Sequence, residues 1–225
     1  MTTKKVFVLG SGGFIGSNLV KKFPEWTGVT RKDLDLTDQK AVDAFFENIG
    51  EDAVVVHCAV VGGSRLKADD GDVAYKNLLM FENVARHAKR MIYFSSGAAV
   101  RGNPPTDPYG FSKWLIDRRI ESIEAYHSLR IWGCYGSGEL PTRFSAICKK
   151  NGHVVIPQDK YFDFIDVEEV CKIVKRFVDG DHCRLEKFYN LVEKKMLLSQ
   201  WATTRFGAKT YEITDTGGLG ESYCA

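Results

Sequence analysis

A glycine-rich turn near the start of the chain is the feature that most restricts its fold. Val6 to Leu9 predicts a buried strand, and the stretch through Ile15 and Leu19 predicts a helix. The segment between them, Gly10-Ser-Gly-Gly13-Phe-Ile-Gly16, has glycines where a strand–turn–helix unit needs a tight turn, a close backbone approach and close helix packing. Free N–H groups at such a helix start bind pyrophosphate. The turn therefore predicts a dinucleotide site, with a purely structural turn as the alternative. The predicted cofactor contacts here are Gly10, Ser11, Gly13, Phe14, Ile15 and Gly16.

Strand and helix patterns alternate along most of the 225 residues. Short apolar runs predict strands at 6–9, 28–30, 53–58, 91–94 and 129–132. Amphipathic stretches predict helices at 38–48, 72–88 and 109–126. Repeated strand–helix–strand order is typical of a parallel sheet with helices on both faces. We therefore predict the α/β class, with a Rossmann-type doubly wound parallel sheet.

The alternation fades after Gly136, where shorter pieces follow. The patterns there predict helices at 140–150 and 167–178 and a strand at 154–156. We expect residues 1–136 to form a dinucleotide-binding domain. Residues 137–225 are expected to form a small substrate-binding region interleaved with the last elements of the sheet.

The residues after the second predicted strand bear on which dinucleotide binds. An acidic side chain there would hydrogen-bond the adenosine ribose and favour NAD. This chain has Thr30-Arg31-Lys32, whose cations suit a 2′-phosphate, so NADP is favoured while NAD stays possible. A solvated basic turn is the alternative interpretation. Asp35 and Leu36 are predicted adenine contacts.

A tyrosine and a lysine stand four residues apart in Tyr109-Gly-Phe-Ser-Lys113, which places both on one face of a helix. A nearby cation lowers the pKa of a phenol and suits it to proton transfer near neutral pH. A hydroxyl from Ser95-Ser96, at the end of the fourth predicted strand, is in place to orient a substrate carbonyl. The spacing is common by chance, but its position after a glycine turn favours a catalytic pair over a surface pair.

Charge, cysteine spacing and hydropathy indicate which partners, metal sites and location to expect. The formal charge of +2 gives no reason to expect nucleic acid or an anionic membrane. The six cysteines form no Cys-x-x-Cys pair, so reduced thiols and no metal site are expected. The N-terminus lacks the pattern of a signal peptide and no apolar run is long enough to span a bilayer, so a cytoplasmic location is expected.

Taken together and in this order, these motifs resemble the extended short-chain dehydrogenase/reductase family, which includes nucleotide-sugar epimerases, dehydratases and reductases. The resemblance extends over about residues 5 to 195. The residues that carry it are Gly10, Gly13, Gly16, Asp35-Leu36, His57-Cys-Ala59, Asn77, Ser95-Ser96, Tyr109 and Lys113. It implies that Ala59 and Lys113 contact the cofactor. It further implies that Tyr109 donates a proton to the substrate carbonyl and that Ser96 holds the carbonyl oxygen.

Within the family, Ala59-Val-Val-Gly-Gly63 and the segment from Asn77 to Asn83 are similar to the GDP-fucose synthase type, which reduces and epimerises a GDP-4-keto-6-deoxy sugar. That type carries a cysteine after its serine and a later histidine, whereas this chain has Gly97-Ala-Ala99 after the serine. Near the histidine's place it has Cys148-Lys-Lys150, with His153 slightly displaced. A second alignment with the family, shifted by one residue, would put Gly97 at the position of the catalytic hydroxyl. We prefer Ser96 because the reaction needs a hydroxyl at that position. The segments that wall the sugar pocket in the family are short here.

The sequence thus predicts an enzyme that reduces a nucleotide-linked 4-keto sugar with NADP, without 3,5-epimerisation. A nucleotide-sugar 4-epimerase that retains NAD is the first alternative, and a non-catalytic dinucleotide-binding protein is the second. Ser96, Gly97 and Arg143 are the predicted substrate contacts, with a surface salt bridge as the alternative role of Arg143. A homodimer is expected by analogy with the family.

Overall fold

The computed structural model describes residues 4–50, 52–64, 67–180 and 185–225. The chain divides into two compact units, one formed by Met1–Arg130 with Cys171–Tyr189 and the other by Ile131–Val170 with Asn190–Ala225. The strands, in chain order, are β1 Val6–Leu9, β2 Thr27–Val29, β3 Val54–His57, β4 Arg90–Ser96, β5 Tyr126–Ile131, β6 Cys134–Tyr135, β7 His153–Gln158, β8 Tyr161–Asp166, β9 Phe188–Leu191, β10 Lys194–Leu197 and β11 Thr210–Asp215. The α-helices are α1 Phe14–Lys22, α2 Gln39–Ile49, α3 Gly71–Ala85, α4 Pro108–Glu121, α5 Phe144–Asn151, α6 Val167–Asp179 and α7 Leu198–Thr204.

The main sheet has six strands in the order β2-β1-β3-β4-β5-β9. β1 pairs in parallel with β2 on one side and with β3 on the other, and β3 pairs in parallel with β4. The chain therefore changes direction across the sheet at β1, and the loops after β1 and β3 border the same crevice. Such a switch point is where open α/β sheets bind nucleotides. The predicted Rossmann-type fold is confirmed.

Burial explains why the central strands form. All four residues of β3 are buried, and Leu9 of β1 and Val55 of β3 lie in one apolar cluster with Phe81 of α3. Burying each such side chain contributes about 1.5–3 kcal/mol, so the continuous apolar runs are stable only with helices on both faces of the sheet.

Side-chain caps determine where two of the helices begin. The Asp38 carboxylate accepts a hydrogen bond from the Ala41 N–H at the start of α2. At the start of α4, Asp107 accepts one from the Gly110 N–H at 2.7 Å, and Pro108 occupies the first helical turn. Aspartate at the N-cap and proline at the first position both favour helix initiation.

Several predicted boundaries differ from the structure by a few residues, and two helices differ most. The helix predicted over 140–150 begins only at Phe144. The helix predicted over 109–126 ends at Glu121, and Tyr126 is already the first residue of β5. The buried Tyr126 hydroxyl donates to the Ala88 carbonyl oxygen at 2.5 Å, a tertiary contact that the local pattern does not contain.

The second unit has its own small sheets and its own core. β8 pairs antiparallel with β10 and in parallel with β6, while β7 pairs in parallel with β11. Trp201 of α7 is completely buried in this core, where it packs against Phe164 and Phe206. Over the described residues, no helix is long and apolar enough to cross a membrane.

Candidate functional site

The glycine turn has a geometry that only glycine allows at two positions. Gly10 has φ +82°, and a Cβ there would lie 2.6 Å from the Ala59 backbone nitrogen. A Cβ on Gly16 would lie 2.5 Å from the Gly10 carbonyl oxygen. At the start of α1, whose N-cap is Gly13, backbone atoms therefore pack directly against other backbone atoms. This helix start has no side-chain cap hydrogen bond, which is compatible with anion binding at its N-terminus.

A cavity of about 370 Å³ opens beside this turn within the first unit. Six of the predicted cofactor contacts line it, namely Gly10, Gly13, Arg31, Asp35, Leu36 and Ala59. The lining also includes residues that the sequence analysis did not single out, among them Gly12, Thr37, Lys76 and Met80. Lys76 and Met80 stand four residues apart on α3, so the helical spacing of that segment was the signal that could have identified them. Ser11, Phe14, Ile15 and Gly16 lie in the turn and the first turn of α1 but do not line the cavity itself.

Arg31 stands at the edge of the cavity with its side chain 83% exposed. Its guanidinium lies 3.4 Å from the Asp35 carboxylate, an exposed ion pair of little energetic value. Asp35 also accepts hydrogen bonds from the backbone and hydroxyl of Thr37, and these bonds hold the pKa of its carboxyl below the usual value. Because the ion pair costs little to break, Arg31 is available to a ligand phosphate at the end of β2.

Tyr109 and Lys113 lie one turn apart on α4, as the sequence predicts. Lys113 is 2% exposed, and its Nζ lies 5.7 Å from the centre of the Tyr109 ring. Burial lowers the pKa of Lys113 to about 7, against an opposing effect of Asp117. The α4 helix therefore presents Tyr109 beside an amine that exchanges protons near neutral pH.

The Tyr109 ring is covered by backbone from the loop after β3. A Cβ on Gly63 would lie 2.9 Å from two atoms of that ring, and Gly63 has φ +71°, which favours glycine. The Gly63 N–H donates to the Asp69 carboxylate at 2.9 Å. The loop thus approaches Tyr109 closely because position 63 has no side chain.

Ser96 ends β4 and its hydroxyl serves as a cap. The Oγ accepts a hydrogen bond from the Ala98 N–H at 3.2 Å, at the start of a short 3-10 helix over Gly97–Val100. Ser96 and Gly97 are both buried. The hydroxyl predicted to orient the substrate therefore already has a backbone partner, and its role toward a substrate stays a prediction.

Arg143 belongs to the second unit, where it forms the N-cap of α5. Its side chain donates to the Cys134 carbonyl oxygen at 3.2 Å. Cys148 of the same helix is completely buried, and burial raises the pKa of its thiol to about 11. Cys58, Cys134, Cys148, Cys171 and Cys224 are free thiols, and Cys183 lies outside the described residues. No group of three or more potential metal ligands occurs in the described ranges.

Residues 6–191 match the model of the NAD dependent epimerase/dehydratase family. The chain belongs to this family. The resemblance predicted from the glycine turn and the Tyr109/Lys113 pair is thereby confirmed at the level of the epimerase/dehydratase family.

Comparison with known proteins gives one sequence relative and several solved structures that share the fold. The chain is 30% identical over 181 residues to "Probable UDP-arabinose 4-epimerase 3" of Arabidopsis thaliana, a match that spans 64% of this chain and 44% of that protein. It superimposes on dTDP-4-dehydrorhamnose reductase from Bacillus anthracis, solved in complex with NADP, with a TM-score of 0.80 and 19% identity, over 99% of this chain and 88% of that one. It superimposes on a GDP-L-fucose synthetase from Naegleria fowleri with a TM-score of 0.74 and 17% identity, over 98% and 82% of the two chains.

Proposed function

We propose that this chain is an NADP-dependent reductase of a nucleotide-linked 4-keto sugar of the GDP-4-keto-6-deoxy type. The observation that carries the proposal is the Tyr109/Lys113 pair, with its buried amine, in the same compact unit as a glycine-lined nucleotide cavity. The structural similarity to proteins whose names describe sugar C4 reductases supports it.

The residues divide into cofactor and substrate roles. Gly10, Gly13 and Gly16 would hold the pyrophosphate, Asp35 with Leu36 the adenine, and Arg31 the 2′-phosphate. The cavity and the backbone cradle that a Cβ would fill both fit this dinucleotide. When bound, NADPH supplies the reducing equivalent. Ala59 borders the same site, and Lys113 would contact the nicotinamide ribose.

Reduction of a ketone also needs a proton, and Tyr109 is the donor that we assign. The Tyr109 O–H bond breaks as a new O–H bond forms on the former carbonyl oxygen. The charge of a protonated Lys113 favours the phenolate that Tyr109 leaves behind. Ser96, Gly97 and Arg143 are proposed to contact the substrate.

The absence of protonatable groups after the serine favours reduction without 3,5-epimerisation. Gly97, Ala98 and Ala99 have no side chain that can move a proton at a sugar carbon. Cys148 is packed in the core of the second unit, and His153 is exposed with its Nδ1 2.9 Å from the Thr210 hydroxyl. Simple ketone reduction requires none of these groups.

A nucleotide-sugar 4-epimerase that keeps NAD bound is the second candidate. The 30% identity with a protein named as a UDP-arabinose 4-epimerase favours it. The two candidates differ in what becomes of the cofactor. A reductase consumes NADPH and releases NADP, whereas a 4-epimerase returns the reducing equivalent to its substrate.

The test is a turnover assay with the purified protein. Candidate 4-keto sugar nucleotides are incubated with NADPH, and absorbance at the nicotinamide band is followed. We expect NADPH oxidation that depends on the sugar and is lost in Tyr109→Phe, while Tyr75→Phe, an exposed tyrosine on α3, leaves the rate unchanged. Failure of every 4-keto sugar to oxidise NADPH would overturn the reductase proposal. NAD released on denaturing the purified protein would favour the epimerase, and a Tyr109→Phe protein that retains its cellular function would favour a non-catalytic binder.

A further inference from the structure

A buried phenol on the central sheet contacts the amine of Lys113. The Lys113 Nζ donates to the Tyr93 hydroxyl oxygen at 2.8 Å and to the Phe94 carbonyl oxygen at 2.8 Å. Tyr93 is 1% exposed and lies in the middle of β4. These two bonds occupy two of the three donors of an ammonium group and leave one for Tyr109 or a ligand.

The two acceptors differ in what they can do when Lys113 loses its proton. A backbone carbonyl only accepts, so it offers nothing to the lone pair of a neutral amine. A phenol accepts from an ammonium group and donates to an amine. Tyr93 is therefore able to pair with both protonation states of Lys113, whereas Phe94 pairs with one.

The groups around the Lys113 amine leave its charged and neutral forms close in free energy near neutral pH. Asp117, four residues further along α4, is the acidic group that favours the charged form, but it already binds the Ser128 hydroxyl and the Arg130 guanidinium. Burial keeps three titratable neighbours uncharged near pH 7, namely Tyr93 on β4, His57 on β3 and Cys58 after β3. Tyr109 on α4 also faces the amine. Burial raises the pKa of Tyr93 well above its usual value, and burial with the Lys113 charge lowers the pKa of His57 to about 3.

We propose that Tyr93 is a positioning residue that holds the Lys113 amine at one point in both of its protonation states and so keeps it aligned with Tyr109 across neutral pH. The role at Tyr109 rests on the proposed reductase function. The pairing of Tyr93 with Lys113 does not, because it depends only on contacts within the first unit.

The direct test measures the titration of Lys113 without any assay of turnover. The protein is labelled with 13C-lysine, the Lys113 Cε resonance is assigned with Lys113→Met, and its shift is followed against pH. We expect a midpoint near neutral pH in the natural protein and a midpoint lower by about one pH unit in Tyr93→Phe. The midpoint falls because the charge-assisted bond of the hydroxyl to the ammonium form is stronger than its bond to the neutral amine, so its loss disfavours the ammonium form more. Tyr93→Leu, which also lacks the hydroxyl, gives the same direction if the phenylalanine variant folds poorly.

Tyr126→Phe is the matched control. Tyr126 lies in the same apolar cluster, and its hydroxyl donates to backbone oxygens of Ala85 and Ala88 rather than contacting Lys113. We expect its removal to leave the Lys113 midpoint unchanged. Equal midpoints in the natural protein and in Tyr93→Phe would overturn the proposal, as would the same shift in both tyrosine variants.

Measuring turnover against pH distinguishes a failure of the Tyr93–Lys113 pairing from a failure of the proposed reductase function. The alkaline fall of kcat is expected to move to lower pH in Tyr93→Phe by the shift seen in the Lys113 resonance, and to stay in place in Tyr126→Phe. A shifted resonance in a protein that reduces no 4-keto sugar supports the Tyr93–Lys113 pairing and contradicts the reductase. An unchanged resonance in an active reductase contradicts the pairing alone.

Discussion

The side-chain amide of Asn77 forms two hydrogen bonds with the backbone of Val61. Its Oδ1 accepts from the Val61 N–H at 2.9 Å and its Nδ2 donates to the Val61 carbonyl oxygen at 3.0 Å. The same Nδ2 lies 3.1 Å from the Ser112 hydroxyl, which in turn donates to the Tyr109 carbonyl oxygen. Asn77 of α3 thus ties the loop after β3, which lines the cavity, to the helix that carries Tyr109 and Lys113.

Asn77→Ala is expected to lower the free energy of unfolding by about 2–4 kcal/mol, because Asn77 is buried and its partners lose their hydrogen bonds. The variant should also bind NADPH more weakly, since Val61 lines the cavity. Urea unfolding and a fluorescence titration measure the two effects. Asn48→Ala, which removes an exposed amide on α2, should change neither. Equal effects of the two variants would contradict the bridging role.

Arg31→Ala is expected to weaken NADPH binding by about ten- to a hundredfold and to leave NADH binding nearly unchanged, because only NADPH carries the 2′-phosphate. Quenching or enhancement of nicotinamide fluorescence gives both dissociation constants. The control is Lys40→Ala, since Lys40 on α2 is also an exposed cation but does not line the cavity. A parallel loss of NADPH and NADH affinity in Arg31→Ala would argue against a phosphate contact.

Gly16→Ala should reduce binding of either dinucleotide by at least about tenfold. The added methyl would meet the Gly10 carbonyl oxygen at 2.5 Å, so the turn or the helix must shift. Gly71→Ala is the comparison, because a Cβ at that position in α3 meets nothing within 4 Å. Thermal stabilisation by added NADPH reports the loss. Normal stabilisation of Gly16→Ala would mean that the turn does not hold the pyrophosphate.

His57 is expected to make the fold less stable in acid. Burial holds its pKa at about 3 in the folded chain, against an ordinary value of 6.5. Between these values the unfolded chain binds a proton that the folded chain does not, so stability falls as pH falls through the window, by up to about 1.4 kcal/mol per pH unit. His57→Phe should flatten the dependence of unfolding free energy on pH between 6 and 4. The exposed His153, changed to Gln, should leave the slope as it is in the natural protein.

Ser96→Ala tests whether the Ser96 hydroxyl only caps the short 3-10 helix or also acts in catalysis. Loss of the cap alone costs about 1 kcal/mol of stability and leaves turnover intact. If the hydroxyl also orients the substrate, kcat/KM with a 4-keto sugar nucleotide should fall by about a hundredfold or more. We expect the second result. Ser95→Ala, a buried neighbour on the same strand, should leave kcat/KM within about twofold.

Much of the first unit could be read from local patterns. The apolar runs at 6–9 and 53–58 coincide with β1 and β3 to within a residue or two. The glycine spacing marked the turn, because a tight turn and close backbone contact leave no alternative to glycine. Four-residue spacing placed Tyr109 and Lys113 on one helix face, since that follows from helix geometry alone.

Other features depend on residues that are distant in the sequence. Tyr93 and Lys113 are 20 positions apart, and nothing local to either predicts their hydrogen bond. Tyr126 lies in β5 rather than in α4, and its hydroxyl binds the backbone of Ala88, 38 positions away in the sequence. The segment Cys171–Tyr189 belongs with the first unit although it follows forty residues of the second.

By itself, the sequence determined the α/β class, the glycine turn and the Tyr109/Lys113 pair, because each depends on residues within a few positions of one another. The tertiary structure decided which side chains complete the cavity, which groups surround the Lys113 amine and how far its pKa falls. Those properties arise from burial and from contacts between separate elements. The free energy of a charge in a protein depends on everything packed around it, which no local stretch of sequence specifies.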